Sequence, residues 1–277
     1  KKIIFICGKG NNALDAIACN NYLSKKGFET SIYFVEDKNK NKNIHKKTKI
    51  LLSLDESYLE TVDLIVDGLL GSGKSRVIKG IYAKIIELIN SSKSYTLSID
   101  IPTGLDGNNG SVDKYTVKAD NTVTFERLKP GHLLLPGRDY CGKINIFTLG
   151  IKKETLKLIK QKIFSNNPTL WFKDIPSTKE PFYKNKRGHV LVVGGSESYI
   201  GASKLVSYSA LRSGAGLVSI LVKKDIASMY SENLLAPMLK LYSNKEEITS
   251  IFENINSNCL VIGPGGGTEI NIHFILE

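Results

Sequence analysis

At 277 residues, with 42% hydrophobic and 23% charged residues, the chain has the balance of a soluble globular protein and the length for two domains. No apolar run approaches the roughly 20 residues of a membrane span, so no membrane-spanning helix and no membrane partner are expected. The net charge of +11 does not argue for nucleic acid, because much of it sits in the Lys/Asn-rich segment Lys38–Lys49. That segment has no apolar period and no aromatics for base stacking, and reads as a solvated, mobile loop. The remaining positive charge would attract an anionic small molecule.

The chain opens at Lys1 inside a strand-like run, with no Met and no signal-peptide pattern, so further residues are expected upstream. Cys7, Cys19, Cys141 and Cys259 are far apart, without metal-ligand spacing, and read as free thiols of a cytoplasmic protein. Lys2–Cys7 is predicted as a strand, broken by Gly8–Asn12. Ala13–Lys25 follows as a helix stopping at Gly27, and Thr30–Val35 as the next strand. Strand, Gly-rich turn, helix and strand make a βαβ unit, which predicts a parallel sheet and an α/β fold.

Leu64–Asp67 is the next strand, then a helix over Ile81–Ile89 and a strand over Tyr95–Ile99 that delivers Asp100. Thr122–Phe125 and Lys143–Phe147 are further strands. The double Pro-Gly stretch Lys129–Arg138 between them is a loop or cover. Composition turns Lys-rich, with Pro168, Pro176 and Pro181, so 1–151 reads as one domain, 152–186 as a linker and 187–277 as a second unit cut short. That unit carries a strand over His189–Val193, a small-residue helix over Gly201–Ser213, and strands over Leu217–Val222 and Cys259–Ile262.

Several stretches carry chemistry. Gly8, Gly10 and Ala13 fit G-x-G-x-x-G/A after a strand, where backbone amides can approach a pyrophosphate at a helix N-terminus. The alternative for that stretch is a plain tight turn. Asn11, Asn12 and Asp15 beside it can hold ribose hydroxyls or a cation. Gly68–Ser75 is a complete Walker A match, which makes a P-loop NTPase or kinase the rival reading. In a P-loop the helix starts at the Lys-Ser pair, whereas Gly80 interrupts any helix begun at Ser75.

Asp67 and Asp100 both sit at strand carboxyl ends, the ligand side of an open α/β sheet. With Asn12 and Thr103 they make an oxygen-only donor set suited to a hard cation such as K⁺ or Mg²⁺, although either acid could simply cap a turn. Gly194–Ser198 and Gly263–Gly267 are Gly-rich turns of the kind that approach a phosphate-bearing ligand closely. Trp171, His132 and His189 have no assignable partners and read as structural.

These motifs in this order resemble a known pair of domains. Cys7–Asn12, Asp63–Arg76, Asp100–Asp106 and Lys129–Gly142 are similar to the NAD(P)H-hydrate epimerase domain of YjeF N-terminal type. His189–Ser196, Tyr199–Ala202, Ala210–Val218 and Val261–Gly265 resemble the start of its usual fused partner, the ADP-dependent NAD(P)H-hydrate dehydratase. The resemblance implies a Rossmann-like parallel-sheet epimerase domain followed by a partial ribokinase-like domain. It also implies repair of hydrated NADH and NADPH (NADHX and NADPHX), with ADP and Mg²⁺ serving the second domain, and a homo-oligomer.

Carried over by residue, substrate would contact Asn11, Asn12, Ala13, Leu14 and Asp15, the loop Gly71, Ser72, Gly73, Lys74, Ser75, Arg76 and Val77, and Asp100, the catalytic carboxylate. A potassium ion would sit on Asn12, Asp67 and Thr103. In the second domain Ala202 and one of Gly265 or Gly267 would touch substrate. The family's Asn-Asn-Gly-Gly-Asp-Gly loop is here Asn11–Ala16, and Ala13 and Leu14 are expected to crowd the dinucleotide or redirect the loop. A dinucleotide-binding module without catalysis is therefore a further alternative. The dehydratase's later catalytic loop is absent from this chain, so no dehydratase activity is expected of it as given.

Overall fold

The computed structural model describes residues 1–36, 43–73, 77–159, 162–175, 183–231 and 234–266. They form two compact units, 1–165 and 166–277, the division falling inside the Lys- and Pro-bearing stretch 152–186.

In the first unit, β1 (Lys2–Cys7), α1 (Asn11–Lys25), β2 (Glu29–Phe34), β3 (Lys49–Leu51), α2 (Glu56–Leu59), β4 (Leu64–Gly68), α3 (Ile81–Ser91), β5 (Tyr95–Ile99), β6 (Asn121–Phe125), β7 (Lys143–Phe147) and α4 (Lys153–Leu158) follow in chain order. The seven strands form one sheet in the order β3-β2-β1-β4-β5-β6-β7, all paired in parallel. This is a Rossmann-like arrangement, in which the strand order reverses between β1 and β4.

Burial follows position in the sheet. β1 is central and almost wholly buried, as a parallel strand covered on both faces must be. Its alternate residues feed two cores. Ile3, Phe5 and Cys7 pack with Ala13, Ala16 and Ile17 of α1. Ile4 and Ile6 pack on the opposite face with Leu59 of α2 and with Ala83, Ile85, Ile86 and Ile89 of α3. Each fully buried Ile or Phe contributes about 1.5–3 kcal/mol over an exposed one. The edges are the three-residue β3 and the half-open β7, which begins at Lys143; short or charged edges resist further pairing.

The mobile loop expected over Lys38–Lys49 is corrected in its second half, residues 37–42 lying outside the described set. The Asn43 carbonyl accepts from Asn21 at 2.7 Å, His45 Nδ1 meets Ser24 Oγ at 2.8 Å, and Thr48 Oγ1 accepts from the buried Asn20 at 3.0 Å. The polar residues of α1 capture this stretch, and Lys49 opens β3.

The second unit contains β8 (His189–Val193), α5 (Ile200–Arg212), β9 (Leu217–Lys223), α6 (Ala227–Ser231), β10 (Met238–Tyr242), α7 (Lys245–Asn254) and β11 (Cys259–Ile262). Its four-stranded parallel sheet runs β10-β9-β8-β11. Leu191, Val193 and Leu221 pack against α7 residues, and Ile220, Val222 and Tyr230 form the other face. Among the described residues no helix is long and apolar enough to cross a membrane.

Candidate functional site

A cavity of about 630 Å³ opens at the carboxyl ends of β1, β4 and β5, where the strand order reverses and α/β sheets take their ligands. Gly10, Asn11, Asn12 and Asp15 form one wall, Leu69–Gly73 with Ile78 a second, and Asp100, Gly104, Phe125 and Lys129 a third. Gly8 lets the walls meet, because a methyl there would fall 2.0 Å from the Leu69 carbonyl oxygen. α1 begins at Asn11 with Gly10 at its N-cap, and no side chain caps it. The Ala13 amide bonds back to the Gly10 carbonyl at 3.2 Å, so the amides of Asn11 and Asn12 are the ones left for an anion.

The start of that helix answers the expected crowding at Ala13 and Leu14. Ala13 is fully buried in the core beneath the sheet face, and Leu14 is 39% exposed. Neither belongs to the cavity wall. Once the turn is helical, positions 13 and 14 need no left-handed backbone, and their side chains point elsewhere.

Asp67 lies under the cavity, fully buried. Its Oδ1 accepts from Thr103 Oγ1 at 2.7 Å and from the Leu69 amide at 3.2 Å. Its Oδ2 accepts from Ser98 Oγ at 2.8 Å and from the Thr103 amide at 2.9 Å. Burial pushes its carboxyl above the usual carboxylate range, opposed by the bonds from Thr103, Ser98 and Leu69.

Thr103 Oγ1 also lies 3.2 Å from the Leu70 carbonyl, which accepts from Asn12 Nδ2 at 3.0 Å. Asn12 Oδ1 is buried with no hydrogen-bond partner, a cost of about 1–3 kcal/mol that calls for a ligand. The structure therefore brings Asn12 and Thr103 together at the Leu70 carbonyl, with Asp67 bonded to Thr103 and the Asn12 Oδ1 left orphaned. The donor set, all oxygen with one carboxylate charge below, fits a hard monovalent cation.

Asp100 directly follows β5, with φ at +66°, a left-handed conformation that non-glycine residues rarely adopt. It is held there from both sides. Its amide donates to the Val123 carbonyl at 2.7 Å, and its carbonyl lies 3.0 Å from His132 Nε2. His132 Nδ1 accepts from the Lys129 amide at 3.1 Å, so Nε2 carries the ring proton and donates to Asp100. Burial, with the Lys129 charge, pushes this imidazole below its ordinary pKa.

The Asp100 Oδ1 accepts from Lys129 Nζ at 2.5 Å and from Thr124 Oγ1 at 3.1 Å. Across the cavity, Asp15 is raised by partial burial and by the Asp100 charge. Lys129 and His132 are the site residues that sequence reasoning left out. His132 read as a structural residue without partners, and the only signal for either was the Lys-Pro-Gly-His run itself.

Of the other sequence-derived residues, Gly71, Ser72 and Gly73 line the cavity, whereas Val77 is 73% exposed and off its wall. Lys74, Ser75 and Arg76 lie outside the described residues. α3 starts at Ile81, after Gly80 at φ +62°, so the helix that a Walker A loop would need at Gly73 onward is not the one that follows this loop.

In the second unit, Ala202 and Gly265 come together, since a methyl on Gly265 would lie 3.1 Å from the Ala202 Cβ. The Gly265 carbonyl accepts from the Ser196 amide at 2.6 Å. Gly194 and Gly195 are held by the buried Tyr230 hydroxyl, 3.4 and 3.2 Å from their carbonyls. Gly267 lies outside the described residues.

Two parallel α/β units with Gly-rich turns at their strand ends, one carrying a carboxylate-lined cavity, define the class of open-sheet α/β proteins with a cleft at the strand ends. Residues 1–131 match the family described as YjeF-related protein N-terminus, and residues 190–277 match NAD(P)H-hydrate dehydratase. The bifunctional NAD(P)H-hydrate repair enzyme Nnr of Dictyoglomus turgidum is 31% identical over 301 residues, covering 100% of this chain and 58% of its own. The same-named proteins of Thermofilum pendens and Escherichia coli are each 29% identical, covering 95% and 96% of this chain and 54% and 52% of theirs. The two units thus match, in order, the YjeF-related N-terminus and the NAD(P)H-hydrate dehydratase families. The chain spans about half the length of the curated relatives it matches.

Proposed function

We propose that the first unit epimerises hydrated NADH or NADPH at the carbon that carries the added hydroxyl, with Asp100 as the acid–base group. The observation that carries this reading is the Asp100 carboxylate, turned into the strand-end cavity by a left-handed backbone. Oδ1 is taken by Lys129 and Thr124, and among the described residues Oδ2 accepts no hydrogen bond. A carboxyl group with one oxygen anchored and one open can, protonated on the open oxygen, give that proton to the departing hydroxyl, which leaves as water, and as the resulting carboxylate take a proton back from the returning water. Departure from one face and return to the other inverts the centre and consumes nothing.

Asn11, Asn12, Asp15 and Gly71–Gly73, with the first amides of α1, would hold the dinucleotide; the unpaired helix N-terminus supports its pyrophosphate there. Asn12 and Thr103 would hold a potassium ion over the Asp67 charge, supplying a fixed positive field beside the substrate's phosphates. The four donors already on Asp67 make its part chiefly electrostatic, unless the Thr103 hydroxyl proton turns away. Ala202 and Gly265 of the second unit would meet the same substrate where the ADP- and Mg²⁺-dependent dehydratase domain is complete. A cytoplasmic homo-oligomer is part of the same reading.

The test is to start from one purified epimer and follow the appearance of the other. Asp100→Asn, isosteric and able to keep the Thr124 contact, is expected to abolish interconversion above the uncatalysed rate while the thermal midpoint stays close to wild type. An unaffected rate in this variant refutes the assignment.

A further inference from the structure

Lys129 reaches Asp100 from the loop that follows β6. Its Nζ lies 2.5 Å from Asp100 Oδ1 and 3.2 Å from Thr124 Oγ1, while Thr124 Oγ1 is itself 3.1 Å from the same carboxylate oxygen. The pair is largely shielded, with side-chain exposures of 24% for Lys129 and 17% for Asp100, and Lys129 also lines the cavity. We propose that Lys129 is a positioning residue for the reaction, fixing through its ammonium the orientation of the Asp100 carboxyl group. This rests on the epimerase reading above.

Three features of the geometry argue for it. First, Lys129 and Thr124 both engage Oδ1, so together they select Oδ2 as the oxygen presented to the substrate. Rotation about the carboxylate's χ2 would break two bonds at once. A charge-assisted contact is about twice as strong as a neutral one, which makes Lys129 the dominant restraint.

Second, the backbones of the two residues are tied by one ring. The Lys129 amide donates to His132 Nδ1 and His132 Nε2 donates to the Asp100 carbonyl. The imidazole therefore sets the separation of the two main chains, independently of the ion pair. A salt bridge formed only for surface stability would need no such brace, since exposed pairs contribute about 1 kcal/mol at most.

Third, the cavity is rich in negative charge. Asp15 shares it, and its carboxyl is already driven up by burial and by Asp100. A dinucleotide would add its pyrophosphate. An ammonium in contact with Asp100 offsets negative charge in the cavity and lets an anionic ligand approach it. Although Lys129 lines the cavity, its ammonium bonds to Asp100 and Thr124, so its part is to act through Asp100 and not as a phosphate ligand.

The experiment measures kcat and KM for epimerisation, starting from one epimer, for wild type, Lys129→Met, Lys129→Arg and Thr124→Val. The dissociation constant of the unhydrated dinucleotide and the thermal midpoint are read for each. Lys129→Met is expected to lower kcat about 100-fold, with KM and the dinucleotide constant within about threefold of wild type. Lys129→Arg, which restores the positive fork, should recover most of that loss.

A Lys129→Met enzyme with near-normal kcat overturns the proposal. So does a rise in KM and in the dinucleotide constant with kcat preserved, which would make Lys129 a phosphate ligand. Should Lys129→Met fail to fold, Thr124→Val decides. It leaves the ion pair but removes the second anchor on Oδ1, and a kcat equal to wild type refutes the selection of Oδ2, whereas a loss of about threefold to tenfold at constant KM supports it. A wild-type protein that does not epimerise overturns the underlying reading itself, an outcome separate from all of these.

Discussion

Thr103 grips both oxygens of Asp67, its hydroxyl 2.7 Å from Oδ1 and its amide 2.9 Å from Oδ2. Asp67 belongs to β4 and Thr103 to the turn after β5, so the pair locks two strand ends together beneath the cavity. The same hydroxyl accepts from the Leu70 amide at 3.0 Å, which extends the lock to the wall opposite α1. Thr103→Val keeps the shape of the side chain and removes a donor to a fully buried carboxylate. The expected cost is about 2 kcal/mol, the range of a hydrogen bond to a charged group. It should appear as a lower urea midpoint at unchanged slope, with Thr103→Ser close to wild type.

The buried Asp67 also makes a pH-dependent cation effect testable. Burial raises its folded-state pKa above the unfolded value, so its contribution favours folding at low pH and is lost as pH rises through the folded value. A cation bound at the orphaned Asn12 Oδ1 stabilises the ionised carboxylate and offsets that loss. Potassium chloride, compared with tetramethylammonium chloride at equal ionic strength, should raise the thermal midpoint at about pH 7.5 by several degrees. The gain should be smaller at a lower pH, where the carboxyl holds its proton. A gain equal at both pH values, or none at either, argues against the site.

Much of the sheet was legible in the chain, and the reasons are local. β1, β5, β7, β8 and β11 stand at the predicted residues, because short β-branched runs bounded by Gly, Asn or Pro leave little choice. β10 and α7 went unread, although Asn244 caps α7 by accepting from the Glu247 amide at 2.9 Å. Asn three residues before Glu is the cap signature that could have located this helix. The strand-end acids were legible because topology places them. Lys129 and His132 were not, since nothing periodic in a Pro-Gly loop states which way it folds, and their roles exist only through tertiary contacts with Asp100.

His132 offers a stability test with the opposite sign. Its imidazole is buried and neutral, and its folded-state pKa lies below the ordinary value. Its contribution is complete above about pH 6.5, the unfolded value, and is lost as pH falls toward the folded value. His132→Gln cannot titrate. The variant should be less stable at about pH 7.5, by about 1 kcal/mol for an imperfectly replaced hydrogen bond. Its stability should then fall less steeply than wild type between about pH 7 and pH 5, measured by urea denaturation at each pH. Parallel pH dependence of the two proteins would show that this histidine does not drive the acid loss.

Gly8 and Gly10 flank the same turn and should respond differently to alanine. A methyl at Gly8 would fall 2.0 Å from the Leu69 carbonyl oxygen, whereas nothing lies within 4 Å of one at Gly10. Gly8→Ala must therefore push β1 and the Leu69–Leu70 segment apart. That segment carries the carbonyl bonded to Asn12 and the amide bonded to Thr103, so the strain passes directly into the proposed cation site. The expected cost is about 2–3 kcal/mol, typical of overpacking at a site that cannot relax, together with loss of the potassium-dependent rise in midpoint. Gly10→Ala should stay within about 1 kcal/mol of wild type, the difference between glycine and alanine at a helix N-cap, and should keep the potassium response. Thermal midpoints of both variants in potassium and tetramethylammonium chloride decide the matter, and equal losses in the two would refute the close approach at Gly8 as the organising contact of this turn.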